Sequence, residues 1–190
     1  MIKNLLSVML LTICLILNNQ IITSAAQVQI YDQSINNVLN GIRNDCDRYG
    51  TANIWGIEYY TYEGAKRCEF HFGDTNNNLV RFRLNNDNSV SRVLISIPNS
   101  IIAKDGSRTS YNQASFINGS IFKAIGLSES ESKDIFGRSI ESFKEYGRTH
   151  SDVHHYHEKF SVWCSRTNRY IVLDVEMDDN KFDWYIYAYV

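Results

Sequence analysis

The stretch THSDVHHYHE, Thr149 to Glu158, gathers four of the chain's five histidines: His150, His154, His155 and His157. Asp152 and Glu158 stand among them. In an extended segment His155 and His157 fall on one face, and His154, Tyr156 and Glu158 on the other. Two imidazoles at i, i+2 can chelate one ion, and a carboxylate such as Asp152 can complete its shell. His150, Asp152, His155 and His157 are therefore the candidate metal ligands, for zinc, copper or nickel. The spacing matches neither HExxH nor the HxHxDH order of binuclear hydrolases. The plainer alternative is a polar loop and edge strand with solvated imidazoles. The same cluster could also sense pH, because an imidazole of pKa about 6.5 gains charge as pH falls through about 6.

A second candidate is a surface rather than a cluster. Strand-like alternation puts Tyr60, Tyr62, His71, Arg81, Arg83, Trp163, Tyr185, Tyr187 and Tyr189 on one side of a sheet, with Asp174 and Glu176. Tyr, Trp and Arg concentrate at interface centres, since each joins a large apolar area to a polar tip. Aromatic rows also stack on sugars. The competing explanation is that tyrosines are good strand formers on a half-exposed surface.

Enzyme motifs are missing. There is no GxSxG, no Gly-rich phosphate loop and no Cys-His signature. Asp174 and Glu176 could form a carboxylate pair, but strand alternation alone yields that pattern. Glu129, Glu131 and Asp134 open a helix, where carboxylates favour its positive end. The sequon Asn118-Gly119-Ser120 falls inside a predicted helix and is set aside.

The elements that must position these residues can be read from periodicity. Ile35, Val38, Leu39, Ile42, Cys46 and Tyr49 follow helical spacing, and Gly50 stands where a helix would stop. Four strands follow: Ile57 to Tyr62, RCEFHFG, LVRFRL, and Val90 to Ile97, the last more apolar on both sides. Beyond Pro98, the single proline, Ala114, Ile117, Ile121 and Ile125 mark a second helix. Ser128 with Glu131 forms a capping box for a third. Phe136, Ile140 and Phe143 line its face, and Gly147 looks like its end. Three more strands follow, around Phe160–Cys164, Ile171–Met177 and Phe182–Tyr189. Asn- and Asp-rich turns separate the strands. The expected fold class is α+β, an antiparallel sheet backed by helices on one face. The two halves, 27–98 and 111–190, resemble each other in element order and suggest a repeat of α-β(3-4) type. In it Cys68 answers Cys164, Thr75-Asn76 answers Thr167-Asn168, and Asp87-Asn88 answers Asp179-Asn180.

The chain has 190 residues and a formal net charge of −2. Residues 1–26 read as a secretory signal peptide: Lys3, then the apolar run Leu5 to Leu17, then Ser24-Ala25-Ala26 as a cleavage site. Residues 27–190 then form one domain, secreted or periplasmic, with no further apolar run to hold it in a membrane. No basic block is present, which argues against nucleic acid. Cys46, Cys68 and Cys164 remain after cleavage and match no zinc pattern. Cys46–Cys68 is the nearest pair for a bridge, yet all three fall on apolar faces, which favours buried thiols.

This element order, in a chain with an export signal, resembles the β-lactamase-inhibitor-protein-like modules of tandem helix-plus-sheet halves. It is similar in outline to small exported bacterial proteins as well. The resemblance covers most of residues 27–190 and carries no individual residue. It implies a binder that uses the open face of its sheet. The expectation is thus a non-catalytic, exported protein whose partner is another protein or an envelope component, with no cofactor required. The runner-up is a metal-binding protein, or a hydrolase, built on the histidine tract with zinc. A third reading is an accessory subunit with no small ligand.

Overall fold

Alternating strands and amphipathic helices form where those patterns predict them. The structure is a computed structural model that describes residues 30, 34–99, 108–150 and 155–189. The expected signal segment 1–26, Asp152 and His154 lie outside the described residues. The elements are α1 (Ile35–Tyr49), β1 (Ile54–Tyr62), β2 (Ala65–Phe72), β3 (Leu79–Leu84), β4 (Val90–Pro98), α2 (Arg108–Ala124), α3 (Glu129–Thr149), β5 (Tyr156–Cys164), β6 (Arg169–Met177) and β7 (Lys181–Tyr189). The fold is α+β.

The seven strands make one antiparallel sheet in the order β1-β2-β3-β4-β7-β6-β5. This is two side-by-side meanders whose last strands, β4 and β7, meet in the middle. The turns Thr75-Asn76 and Thr167-Asn168 follow β2 and β5 respectively. The cysteines do not occupy matching places. Cys68 lies inside β2, whereas Cys164 closes β5.

Helices pack on one face of the sheet. α3 lies over β5 and β6, α2 over β4, and α1 against α2. Between the layers sit Phe70, Phe82, Ile95, Trp184, Ile186 and Leu173 from the strands. Val38, Ile42, Ile117, Ile121 and Ile135 meet them from the helices. Each large apolar side chain so buried contributes about 1.5–3 kcal/mol. Cys46, Cys68 and Cys164 are free thiols in this layer, and burial pushes Cys46 and Cys68 up to about 11. No bridge links Cys46 to Cys68.

The helix ends show the capping chemistry. Gly50 takes φ 59° and donates its N–H to the Cys46 carbonyl at 2.8 Å. Ser128 and Glu131 form both bonds of a capping box. Glu131 also accepts from Ser165 N–H at 3.0 Å, tying α3 to the end of β5. Two helix expectations need correction. The buried stripe of α3 centres on Ile135 and Ser139, with Phe136 and Phe143 at its edges and Ile140 only partly buried. Gly147 does not stop α3, which continues to Thr149, because the His150 N–H still reaches the Tyr146 carbonyl. Among the described residues no helix is long and apolar enough to cross a membrane.

Candidate functional site: the open face of the sheet

The side chains that point away from the helices form rows across the strands, set by register. One row runs Tyr60, Arg67, Arg83, Arg92, then Tyr187, Val172 and Ser161. The next runs Glu58, Glu69, Arg81, Leu94, then Tyr185, Asp174 and Lys159. A third runs Trp55, His71, Leu79, Ser96, then Asp183, Glu176 and His157. At the β5–β7 end a fourth row holds Tyr189, Tyr170 and Trp163. All eight residues expected on the aromatic face, Tyr60, Tyr62, Arg81, Arg83, Trp163, Tyr185, Tyr187 and Tyr189, therefore share this side.

Trp55 reaches the face through a bulge. Trp55 pairs with His71 and Glu58 with Glu69, so three steps along β1 match two along β2. Gly56 takes φ 64° at the irregularity, a conformation a Cβ would strain. The Trp55 ring stacks on His71 at 4.9 Å, and its Nε1–H donates to the Gly73 carbonyl at 2.9 Å.

The aromatic rings on the face are ordered by one another. Trp163 meets Tyr170 edge-on at 5.0 Å, and Tyr170 stacks on Tyr189 at 5.1 Å. Trp163, Tyr170 and Tyr189 remain 43%, 40% and 44% exposed. Across the sheet Tyr62 is also exposed and lies under the Arg67 guanidinium at 4.6 Å. Arg92 sits 4.6 Å from the Tyr185 ring and 5.7 Å from that of Tyr187. Arg67, Arg81, Arg83, Arg92, Leu94 and Tyr185 bound a shallow cleft of about 170 Å³. Arg81 is the one neutralised member, its Nε donating to Glu69 at 2.6 Å while Tyr60 OH donates to the same oxygen at 3.0 Å.

Glu58 and Glu69 lie on the arginine half, and Asp174, Glu176 and Asp183 on the other. Asp174 is buried and accepts from His157 Nε2 at 2.9 Å and from Lys159 Nζ at 3.2 Å. That bond and the charge of Asp174 raise the Lys159 ammonium above its ordinary value. Asp183 accepts from the Ser96 and Tyr185 hydroxyls. Burial pushes the Asp183 carboxyl up. Burial, with Asp183 and Glu176 close by, pushes the Tyr185 phenol up to about 12.

The histidine tract divides. The His150 ring stacks on Tyr146 at 4.0 Å, and its Nδ1 lies 2.9 Å from Thr149 Oγ1. His155 accepts the Tyr146 hydroxyl on its carbonyl, and lines a cleft of about 330 Å³ with His157, Glu176 and Asp183. Tyr156 turns into the core beside Phe143 and Tyr146. His157 projects onto the open face. Among the described residues, the atoms that could share a metal ion are those of His157, Asp174 and Glu176, all within 4.8 Å of one another. Of the expected ligands that are described, His150, His155 and His157, only His157 belongs to this group, and the Lys159 ammonium already stands beside its buried carboxylate. Asn118, the asparagine of the sequon, is fully buried in α2.

Sequence reasoning missed Arg67, Arg92, Tyr170 and Asp183 on this face. Arg67 and Tyr170 were within reach of alternation. Arg92 was hidden in a strand that reads as apolar on both sides. Comparisons with protein-family models, curated proteins and solved structures returned no match.

Proposed function

We propose that the protein is a non-catalytic binding protein, exported by its N-terminal segment, that docks another protein on the open face of its sheet. The observation carrying this reading is the ladder of Trp163, Tyr170 and Tyr189, each about two-fifths exposed and held by ring contacts. Such rings lose little rotamer freedom on binding and bury a large area, which is why Trp and Tyr recur as interface anchors. Among the described residues the face holds no nucleophile activated by a base, and its best-formed acid–base group is a closed pairing of Asp174 with His157 and Lys159. A charged pair that satisfies itself supports structure better than turnover.

The test is capture of the partner from the native extracytoplasmic fraction by immobilised protein. Wild type should retain a defined protein, Trp163→Ala should lose it by about tenfold or more in affinity, and both should melt at the same temperature. Equal capture by Trp163→Ala and Tyr170→Ala would overturn the reading.

A further inference from the structure

Arg67, Arg83 and Arg92 stand directly opposite one another on three adjacent strands. Neighbouring strands are about 4.8 Å apart, so three guanidinium stems rise from a span of about 10 Å. Like charges in directly opposed positions destabilise a sheet. No carboxylate among the described residues lies within 4.0 Å of any of the three. Most acids that share the face are already engaged: Glu69 by Arg81 and Tyr60, Asp174 by His157 and Lys159, Glu176 by His157, Asp183 by Ser96 and Tyr185; Glu58, on the edge strand β1, forms no ion pair with the three arginines. Arg67 Nε is shielded from solvent and has no acceptor, an arrangement that favours a ligand oxygen. Tyr62 and Tyr185 hold the guanidiniums of Arg67 and Arg92 by cation–π contact, which orients their forks in advance.

We propose that this cleft is an oxyanion site that receives an acidic side chain of the docked protein, so that the partner presents a short acidic segment. The proposal rests on the docking reading above and adds the chemistry of what is docked. The cleft of about 170 Å³ fits one carboxylate-bearing side chain rather than an extended ligand. Guanidinium forks match the two oxygens of a carboxylate. A uniformly anionic polymer is disfavoured by the same face, because beyond Tyr185 and Tyr187 the arginines give way to Glu176 and Asp183. A peptide can place acids on the arginine half and other residues beyond it.

The probe is a labelled oligo-glutamate peptide, read by fluorescence anisotropy at about 20 mM salt, where the field is little screened. Wild type should bind. Arg83→Gln and Arg92→Gln should each weaken binding by about tenfold or more, as expected for truncating one partner of a charged contact. Arg81→Gln should matter less, and Trp163→Ala should leave oligo-glutamate binding unchanged. Melting of each variant confirms its fold, and Arg83→Gln should melt no lower than wild type. Failure of wild type to bind, or equal binding by Arg83→Gln, overturns the proposal. Dextran sulfate bound more tightly than oligo-glutamate with the same arginine dependence overturns the assignment to a protein acid. Should Trp163→Ala still lose the native partner while oligo-glutamate does not bind, docking stands and acid recognition falls.

Discussion

The two halves of the open face use charge in opposite ways. On β5 to β7 the buried Asp174 and the half-buried Asp183 have their donors in place: Asp174 holds His157 and Lys159, and Asp183 holds two hydroxyls. On β2 to β4 three arginines share a row with each other and no acid. Both halves are strands of one antiparallel sheet over one core, so packing does not explain the contrast. What differs is where compensation comes from. The acidic half is complete within the chain. The basic half is complete only if something else supplies negative charge.

Removing Asp174 should give the largest effect. Asp174→Ala deletes the common acceptor of two charge-assisted bonds, each of which contributes about 1.5–3 kcal/mol in a buried setting. His157 and Lys159 are about half exposed and can return to water, so the expected loss is nearer 1–2 kcal/mol in all. Urea unfolding of wild type and variant measures it. A variant as stable as wild type would mean the acidic half is only apparently complete.

Arg83→Gln should act with the opposite sign. It relieves two like-charge contacts and gives up no ion pair, so a gain of a few tenths to about 1 kcal/mol is expected. Salt offers a second reading of the same repulsion. Raising sodium chloride from about 20 mM to about 300 mM should raise the melting temperature of wild type more than that of Arg83→Gln. If Arg83→Gln is destabilised instead, the row is satisfied internally and the contrast between the halves fails.

The sheet, the helices and the shared side of the eight aromatic and basic residues were legible because period-two alternation needs only local sequence. The row of arginines was not. Arg67, Arg83 and Arg92 lie on three strands, and only the pairing register brings them together. Arg92 was further masked by its neighbours Val90, Val93 and Ile95, which make the strand look buried on both sides. The bulge at Gly56 was equally invisible, since Trp55 joins the face only by breaking the alternation. The histidine tract misled for a related reason. Spacing within it suggested a local chelate, yet His157 finds its acids across the ladder on β6, at Asp174 and Glu176. Density of a residue type along the chain says little about who faces it across a sheet.

The smallest expected effect probes the seam where the halves touch. Asp183 on β7 lies opposite Ser96 on β4 and Glu176 on β6. Burial raises its carboxyl above the ordinary 3.8, with the Ser96 hydroxyl and Lys181 opposing. A raised carboxyl holds its proton longer in the folded chain than in the unfolded one. Its contribution to stability is therefore present below about 3.8 and lost as pH rises through the folded value. Asp183→Asn carries no such titration, so wild type should lose stability relative to it across that window, as urea unfolding at about pH 3.5 and about pH 6.5 would show. The alternative outcome is informative about the arginines. If wild type gains relative to Asp183→Asn as pH rises, the ionised carboxylate is favoured by positive charge. Arg92, whose guanidinium lies 4.6 Å from the ring of Tyr185, two residues along β7 from Asp183, is a guanidinium that could supply it. Asp183 would then be the counter-ion the row was said to lack, and the two halves would be one compensated system.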